Sequence, residues 1–129
     1  MITKELLNDA VICKENDDVL EVSRIIRDTK ARHIIVVDQH LKPLGIISPF
    51  DINNRVIAEE KTPSEITASE IMTSPIESIE ISEGYDKASE KMISLETYTL
   101  PVTEHGKLIG ILDYSVVFRK ICGVKNDDN

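Results

Sequence analysis

The chain repeats itself at a spacing of about 65 residues, and that self-similarity restricts the fold to a duplicated unit. The segment Ile34-Ile35-Val36-Val37-Asp38-Gln39-His40-Leu41-Lys42-Pro43-Leu44-Gly45-Ile46-Ile47 recurs as Thr99-Leu100-Pro101-Val102-Thr103-Glu104-His105-Gly106-Lys107-Leu108-Ile109-Gly110-Ile111-Leu112. Val37 meets Val102, His40 meets His105, Lys42 meets Lys107, Gly45 meets Gly110 and Ile46 meets Ile111. Upstream the spacing lengthens by one residue, pairing Ser23 with Ser89 and Ile26 with Met92, so the second copy is one residue shorter between helix and hairpin.

Each copy reads in the same order. A short strand (Ala10–Cys13; Ile76–Ile79) leads into an amphipathic helix. Its apolar face carries Val19, Val22, Ile25 and Ile26 in the first copy and Tyr85, Ala88, Met92 and Leu95 in the second, at spacings of three and four. Asp18 with Glu21 reads as a capping box. A hairpin follows (His33–Val37 with Lys42–Ile47; Tyr98–Thr103 with Lys107–Leu112), its second turn made by His105-Gly106. A closing helix covers Phe50–Ala58 and Tyr114–Cys122. The fold class is α/β of the α+β kind, with β-α-β-β-α run twice. Two copies packed sheet to sheet would bury their apolar faces about a pseudo-twofold axis. The boundaries are 1–58 for the first copy, 59–69 for a connector and 70–129 for the second. In the connector, Thr62-Pro63-Ser64-Glu65 and Thr67-Ala68-Ser69-Glu70 both carry helix-start signals.

Composition narrows the function. The 129 residues suffice for a packed core, which must rest on Ile, Val and Leu because aromatics are 4% and Trp is absent. A net charge of −8 repels nucleic acid and anionic lipid; apart from the terminal pair Asp127 and Asp128 it is spread along the chain and serves solubility. The longest apolar runs, such as Ile34–Val37, are too short to span a bilayer. With no signal peptide and with Cys13 and Cys122 far apart, a cytoplasmic protein with reduced thiols is expected. His33, His40 and His105 form no metal-ligand spacing, and no nucleophile–base grouping or Walker or Rossmann glycine pattern occurs. Neither metal, catalytic cofactor nor enzymatic activity is expected.

Three stretches resemble the CBS domain, the regulatory module named after cystathionine β-synthase. Ile71-Met72-Thr73-Ser74-Pro75-Ile76 is similar to its MTxxP motif, one residue short. Leu100-Pro101-Val102 with Gly106-Lys107-Leu108-Ile109-Gly110-Ile111 resembles its hairpin, and Gly45-Ile46-Ile47-Ser48-Pro49-Phe50-Asp51 its ribose motif. The resemblance covers nearly the whole chain and implies a tandem pair (a Bateman module) that senses an adenine-containing ligand such as AMP, ADP, ATP or S-adenosylmethionine. It also implies a homodimer and an effector protein that reads the bound state.

The ribose motif has direct chemistry. A strand ending at Ile47 delivers Ser48 to its C-terminal edge and Asp51 to the first turn of the next helix, where a carboxylate stays ionised. Two carboxylate oxygens can accept from two vicinal hydroxyls, while the Ser48 hydroxyl can donate to a phosphate. Equally, Ser48 can be the N-cap and Asp51 its partner at N3, and the two roles can coexist. By resemblance the adenine contacts are Ile76, Tyr98, Thr99 and Ile111, with Ile76 and Ile111 on the ring's two faces. Tyr98 could instead be ordinary core. Thr73 is a secondary candidate, as is Arg55, whose alternatives are phosphate contact and solvated helix face.

The second copy departs from the pattern. Asp113 replaces the serine and would repel phosphate; Val116 replaces the ribose-gripping aspartate and cannot accept from a hydroxyl. Its adenine wall would be Ala10, His33, Ile34 and Ile46, and its lead-in Leu6-Leu7-Asn8-Asp9-Ala10 matches poorly. One good and one degraded site are expected, the second empty or altered for a ligand lacking phosphate, such as adenosine or an S-adenosylmethionine-like cation. The competing reading is a structural interaction module of the same fold that no longer binds nucleotide.

Overall fold

The computed structural model describes residues 1–123, so Asp127 and Asp128 lie outside the described residues. The chain divides into two compact units, Val11–Ile76, and Glu77–Asn129 together with Met1–Ala10.

In the first unit β1 (Ile12–Lys14) runs parallel to β2 (Ile34–Val37), and β3 (Pro43–Ile47) returns antiparallel to β2. The crossover is α1 (Val19–Thr29). Asp18 starts it by accepting from Glu21 N–H at 2.8 Å, the forward half of the expected capping box. Lys30 ends it in the left-handed conformation, its N–H donating to Ile26 O. Val19 and Val22 are fully buried against Ile34, Val36 and Ile47, and Ile25 and Ile26 flank them. Burying each such aliphatic side chain contributes about 1.5–3 kcal/mol. After β3 the expected helix over Phe50–Ala58 splits into α2 (Pro49–Ile52) and a wider π turn, Asn53–Ile57. The wide turn keeps Val56 fully buried, and Ala58 N–H reaches back to Asn53 O at 2.8 Å. The connector forms a 3-10 turn at Pro63–Glu65 and then α3 (Ala68–Ile71). Neither Thr62 nor Thr67 caps through its side chain; the Thr67 hydroxyl lies 3.2 Å from that of Ser69 instead.

The second unit repeats the sheet order with β4 (Ile79–Glu80), β5 (Thr99–Glu104) and β6 (Lys107–Asp113), and with α4 (Tyr85–Leu95) and α5 (Tyr114–Ile121). Ala88 and Met92 of α4 are buried with Ile79, Leu100, Val102 and Leu112; Tyr85 is half-buried and Leu95 is exposed. The turn at His105-Gly106 has positive φ at both residues (54° and 80°), as a two-residue hairpin turn requires. First strands in both copies begin later than the hydropathy suggested, at Ile12 and Ile79.

Two findings change the sequence register. Val36 pairs with Gly45 and Val102 with Gly110, so Val102 corresponds to Val36, not to Val37. The missing residue therefore lies in the hairpin turn, not between helix and hairpin. Secondly, the lead-in segments pack inside the units rather than beside them. Thr73 and Ile46 exchange N–H···O bonds of 2.9 and 3.0 Å in the first unit. Asn8 and Ile111 exchange two of 2.8 Å in the second. Asn8 and Thr73 stand at the same place in the repeat, and Met1–Ala10 thus completes the unit formed by the second copy. Ile2 is buried there, its N–H donating to Ile81 O at 2.9 Å.

Candidate functional site

Ser48 and Asp51 are joined as a full capping box. The Ser48 N–H donates to Asp51 Oδ2 at 2.8 Å, the Asp51 N–H donates to Ser48 Oγ at 3.3 Å, and the Ser48 hydroxyl lies 3.3 Å from Asp51 Oδ2. The structural role foreseen for this pair is real, and it leaves chemistry over. Both bonds that the carboxylate accepts within the box fall on Oδ2, and the carboxylate is half-buried, so Oδ1 is held in a fixed direction with its acceptor capacity unused by the box. Pro49 at the first helical position removes an N–H that would otherwise need a partner.

Thr73 and Ile76 belong to the same compact unit as Ser48 and Asp51. Thr73 is exposed and tied by its backbone to Ile46, two residues before Ser48; Ile76 is half-buried. Gly45 makes this approach feasible. A Cβ there would lie 2.6 Å from Met72 Sδ and 2.8 Å from Thr73 O, closer than atoms can come. Gly110 has the matching place under Leu7 and Asn8, with 2.9 Å to Leu7 Cβ and 3.0 Å to Asn8 O. Arg55 sits on the π turn, and its Nη1 donates to Ile71 O at 2.7 Å and Met72 O at 3.1 Å. It is neither an unengaged phosphate arm nor merely a solvated helix face.

Tyr98, Thr99 and Ile111 lie in the second unit. Tyr98 is 76% exposed, which excludes the core role considered for it. Its ring meets Tyr114 edge to face at 6.1 Å between centroids, and its carbonyl accepts from Tyr114 N–H at 2.8 Å. Tyr98 and Tyr114 line a cavity of about 320 Å³ with Met92, Ile93, Glu96 and Thr97, which the sequence did not single out. Thr99 is exposed, and Ile111 is half-buried with its backbone bonded to Asn8.

In the degraded set, Asp113 caps α5, accepting from Ser115 N–H at 3.0 Å and from the Ser115 hydroxyl at 2.6 Å. These bonds hold its carboxyl below the usual carboxylate range, so it stays charged. Val116 is buried in the core cluster of its unit. His33 is exposed, and Ala10 and Ile46 are half-buried. Ile34 is fully buried in the core, and this corrects its assignment to a binding wall. The cause is the one-residue register slip: Ile34 pairs with Ile47 as Leu100 pairs with Leu112, and a slip of one moves a side chain to the other face. The counterparts of Tyr98 and Thr99 are therefore Arg32 and His33. Among the described residues no group of three His, Cys, Asp or Glu is placed to hold a metal ion, and no helix is long and apolar enough to cross a membrane.

The duplicated three-stranded sheets, the paired lead-in segments and the capped strand-to-helix corner define a tandem α+β repeat. The family model for the CBS domain matches residues 3–58 and again 68–123, and the chain belongs to the CBS-domain family. Similar proteins include the uncharacterized protein MK0525 of Methanopyrus kandleri, 27% identical over 81% of this chain and 54% of that one. The CBS domain-containing protein CBSCBSPB2 of Arabidopsis thaliana is 30% identical over 87% of this chain and 21% of its own length. The chain thus spans about half or less of these relatives. Among solved structures, Hypoxic Response Protein I with two coordinated zinc ions superposes with a TM-score of 0.76 at 17% identity, covering 92% of this chain and 98% of that one. The CBS-domain protein ATU1752 from Agrobacterium tumefaciens gives 0.68 at 22% identity, covering 94% and 99%. These likenesses establish the fold. CBS-domain pairs are typically regulatory modules.

Proposed function

We propose that the chain is a non-catalytic sensor that holds an adenine-containing ligand through Ser48 and Asp51 and passes its bound state to an effector protein in the cytoplasm. The observation carrying this reading is the asymmetric loading of the Asp51 carboxylate. The capping box fixes one oxygen and aims the other, so a ribose diol meets a carboxylate whose orientation is already set. Thr73 and Ile76 share that unit and are the proposed neighbours of the sugar and the base. The second copy offers a bonded, charged Asp113 and a buried Val116 where a hydroxyl and a carboxylate would be needed. One ligand per chain follows.

The proposed assembly is a homodimer. Ile93, Tyr98, Phe118 and Ile121 leave apolar surface exposed on and beside α4 and α5, with Tyr114 among them.

A thermal-shift panel with AMP, ADP, ATP, NAD and S-adenosylmethionine tests the ligand class. A compound present at about 100 times its Kd stabilises by about 2.7 kcal/mol, which raises Tm by at least about 4 °C in a domain this small. The expected result is a rise with an adenine compound that disappears in Asp51→Ala. No rise with any of the five favours an interaction module that keeps the fold without the ligand.

A further inference from the structure

Arg55 lies one turn beyond Asp51, where a guanidinium facing a phosphate would be the obvious reading. Its bonds point elsewhere. Nη1 donates to the carbonyls of Ile71 and Met72, the last residue of α3 and the residue that follows it. Carbonyls at a helix C-terminus lack intrahelical partners, and a cation there satisfies them and opposes the helix dipole. The next residue along is Thr73. Besides the burial of Ile71 in the core of the first unit, three contacts hold the Ile71–Thr73 segment there: Met72 against Gly45, the Thr73–Ile46 backbone pair, and Arg55. The last is a polar tie to the chain segment that carries Asp51, which also shares an apolar cluster with it through Ile52, Val56 and Ile71. The π turn fits this role, since π turns commonly mark functional positions and this one carries Arg55 while Val56 stays buried.

We infer that Arg55 is a positioning residue, holding the Thr73–Ile76 segment in register with Ser48 and Asp51 so that the two halves of the ligand grip stay aligned. This rests on the ligand reading above, and it assigns Arg55 no contact with phosphate. A positioning residue affects every ligand of the site alike, whereas a phosphate contact affects only phosphorylated ones.

The test measures AMP and adenosine binding to wild type, Arg55→Ala and Arg55→Lys, together with amide hydrogen exchange of the unliganded proteins. Arg55→Ala is expected to weaken AMP and adenosine by the same factor, about tenfold or more for the loss of its two charge-assisted hydrogen bonds. Arg55→Lys is expected to restore most of both, because an ammonium can donate to the same two carbonyls. In the unliganded Arg55→Ala protein the Thr73 and Ile46 amides are expected to exchange faster while the Val36 amide does not change. A loss confined to AMP would make Arg55 a phosphate contact and overturn the inference. So would unaltered Thr73 and Ile46 exchange. If wild type binds neither compound, the sensor reading fails, and the exchange data still decide whether Arg55 positions the segment.

Discussion

Ser48 and Asp113 stand at the same place in the two copies, where a strand turns into a helix, and the two corners carry different chemistry. The Ser48 corner keeps a neutral hydroxyl and a directed carboxylate oxygen. The Asp113 corner spends its charge on Ser115. A third carboxylate shows the same economy used for stability. Glu80 accepts from the Thr103 hydroxyl at 2.6 Å, from Gly106 N–H at 2.9 Å and from His105 N–H at 3.1 Å, clamping β4 to the β5–β6 hairpin. The Thr103 bond foremost, and then the backbone donors, lower its pKa below the ordinary 4.5. The folded state thus prefers the charged form. The stability this adds is present in full above the ordinary carboxylate range and is lost as pH falls through the lowered value. Urea unfolding from pH 7 to pH 3 should show wild type losing more stability below about pH 4.5 than Glu80→Gln. Parallel acid profiles would rule out the clamp. At Cys13 burial acts in the opposite direction and pushes the thiol up to about 12, which suits a core residue rather than a reactive one.

At the scale of elements, the lead-in segments and the hairpins they cover are fitted around two glycines. Gly45→Ala would drive a methyl into Met72 and the Thr73 carbonyl. The methionine side chain can yield, but the backbone oxygen can move only if the Thr73–Ile46 pair gives way. The expected cost is about 1–3 kcal/mol, seen as a lower urea midpoint with an unchanged slope; an unaltered midpoint would mean the segment is not held against the hairpin. Much of this level was legible beforehand. The helices Val19–Thr29 and Tyr85–Leu95 followed from their apolar spacing, and the His105-Gly106 turn from glycine chemistry. The position of the one-residue gap is not legible in the sequence, for a physical reason. Ile34–Val37 is an unbroken β-branched run, all of it buried, so it carries no alternation to fix which residue faces the core. Matching Val37 to Val102 fits the sequence as well as matching Val36 does, so the face that Ile34 takes is not legible there. The Arg55 bonds were beyond reach because they depend on a π turn that has no local signature.

At the scale of the whole molecule, the unit of sequence is not the unit of packing. The repeat runs from one lead-in to the next, whereas Met1–Ala10 is built into the unit formed by Glu77 onward. The signal for this was present but faint. Leu7-Asn8 stands about 65 residues before Met72-Thr73, yet the two dipeptides share no residue type. Two copies with unlike corners lead to a stoichiometry that fold alone would not give. Two intact corners would predict two ligands per chain, and two blocked corners none. Isothermal titration with AMP, or whichever adenine compound gives the largest thermal shift, measures that number directly. The account predicts one ligand per chain for wild type and none for Asp51→Asn, whose amide can keep a capping bond but presents no anionic acceptor to the ribose. Two ligands per chain, or binding that survives Asp51→Asn unweakened, would contradict it.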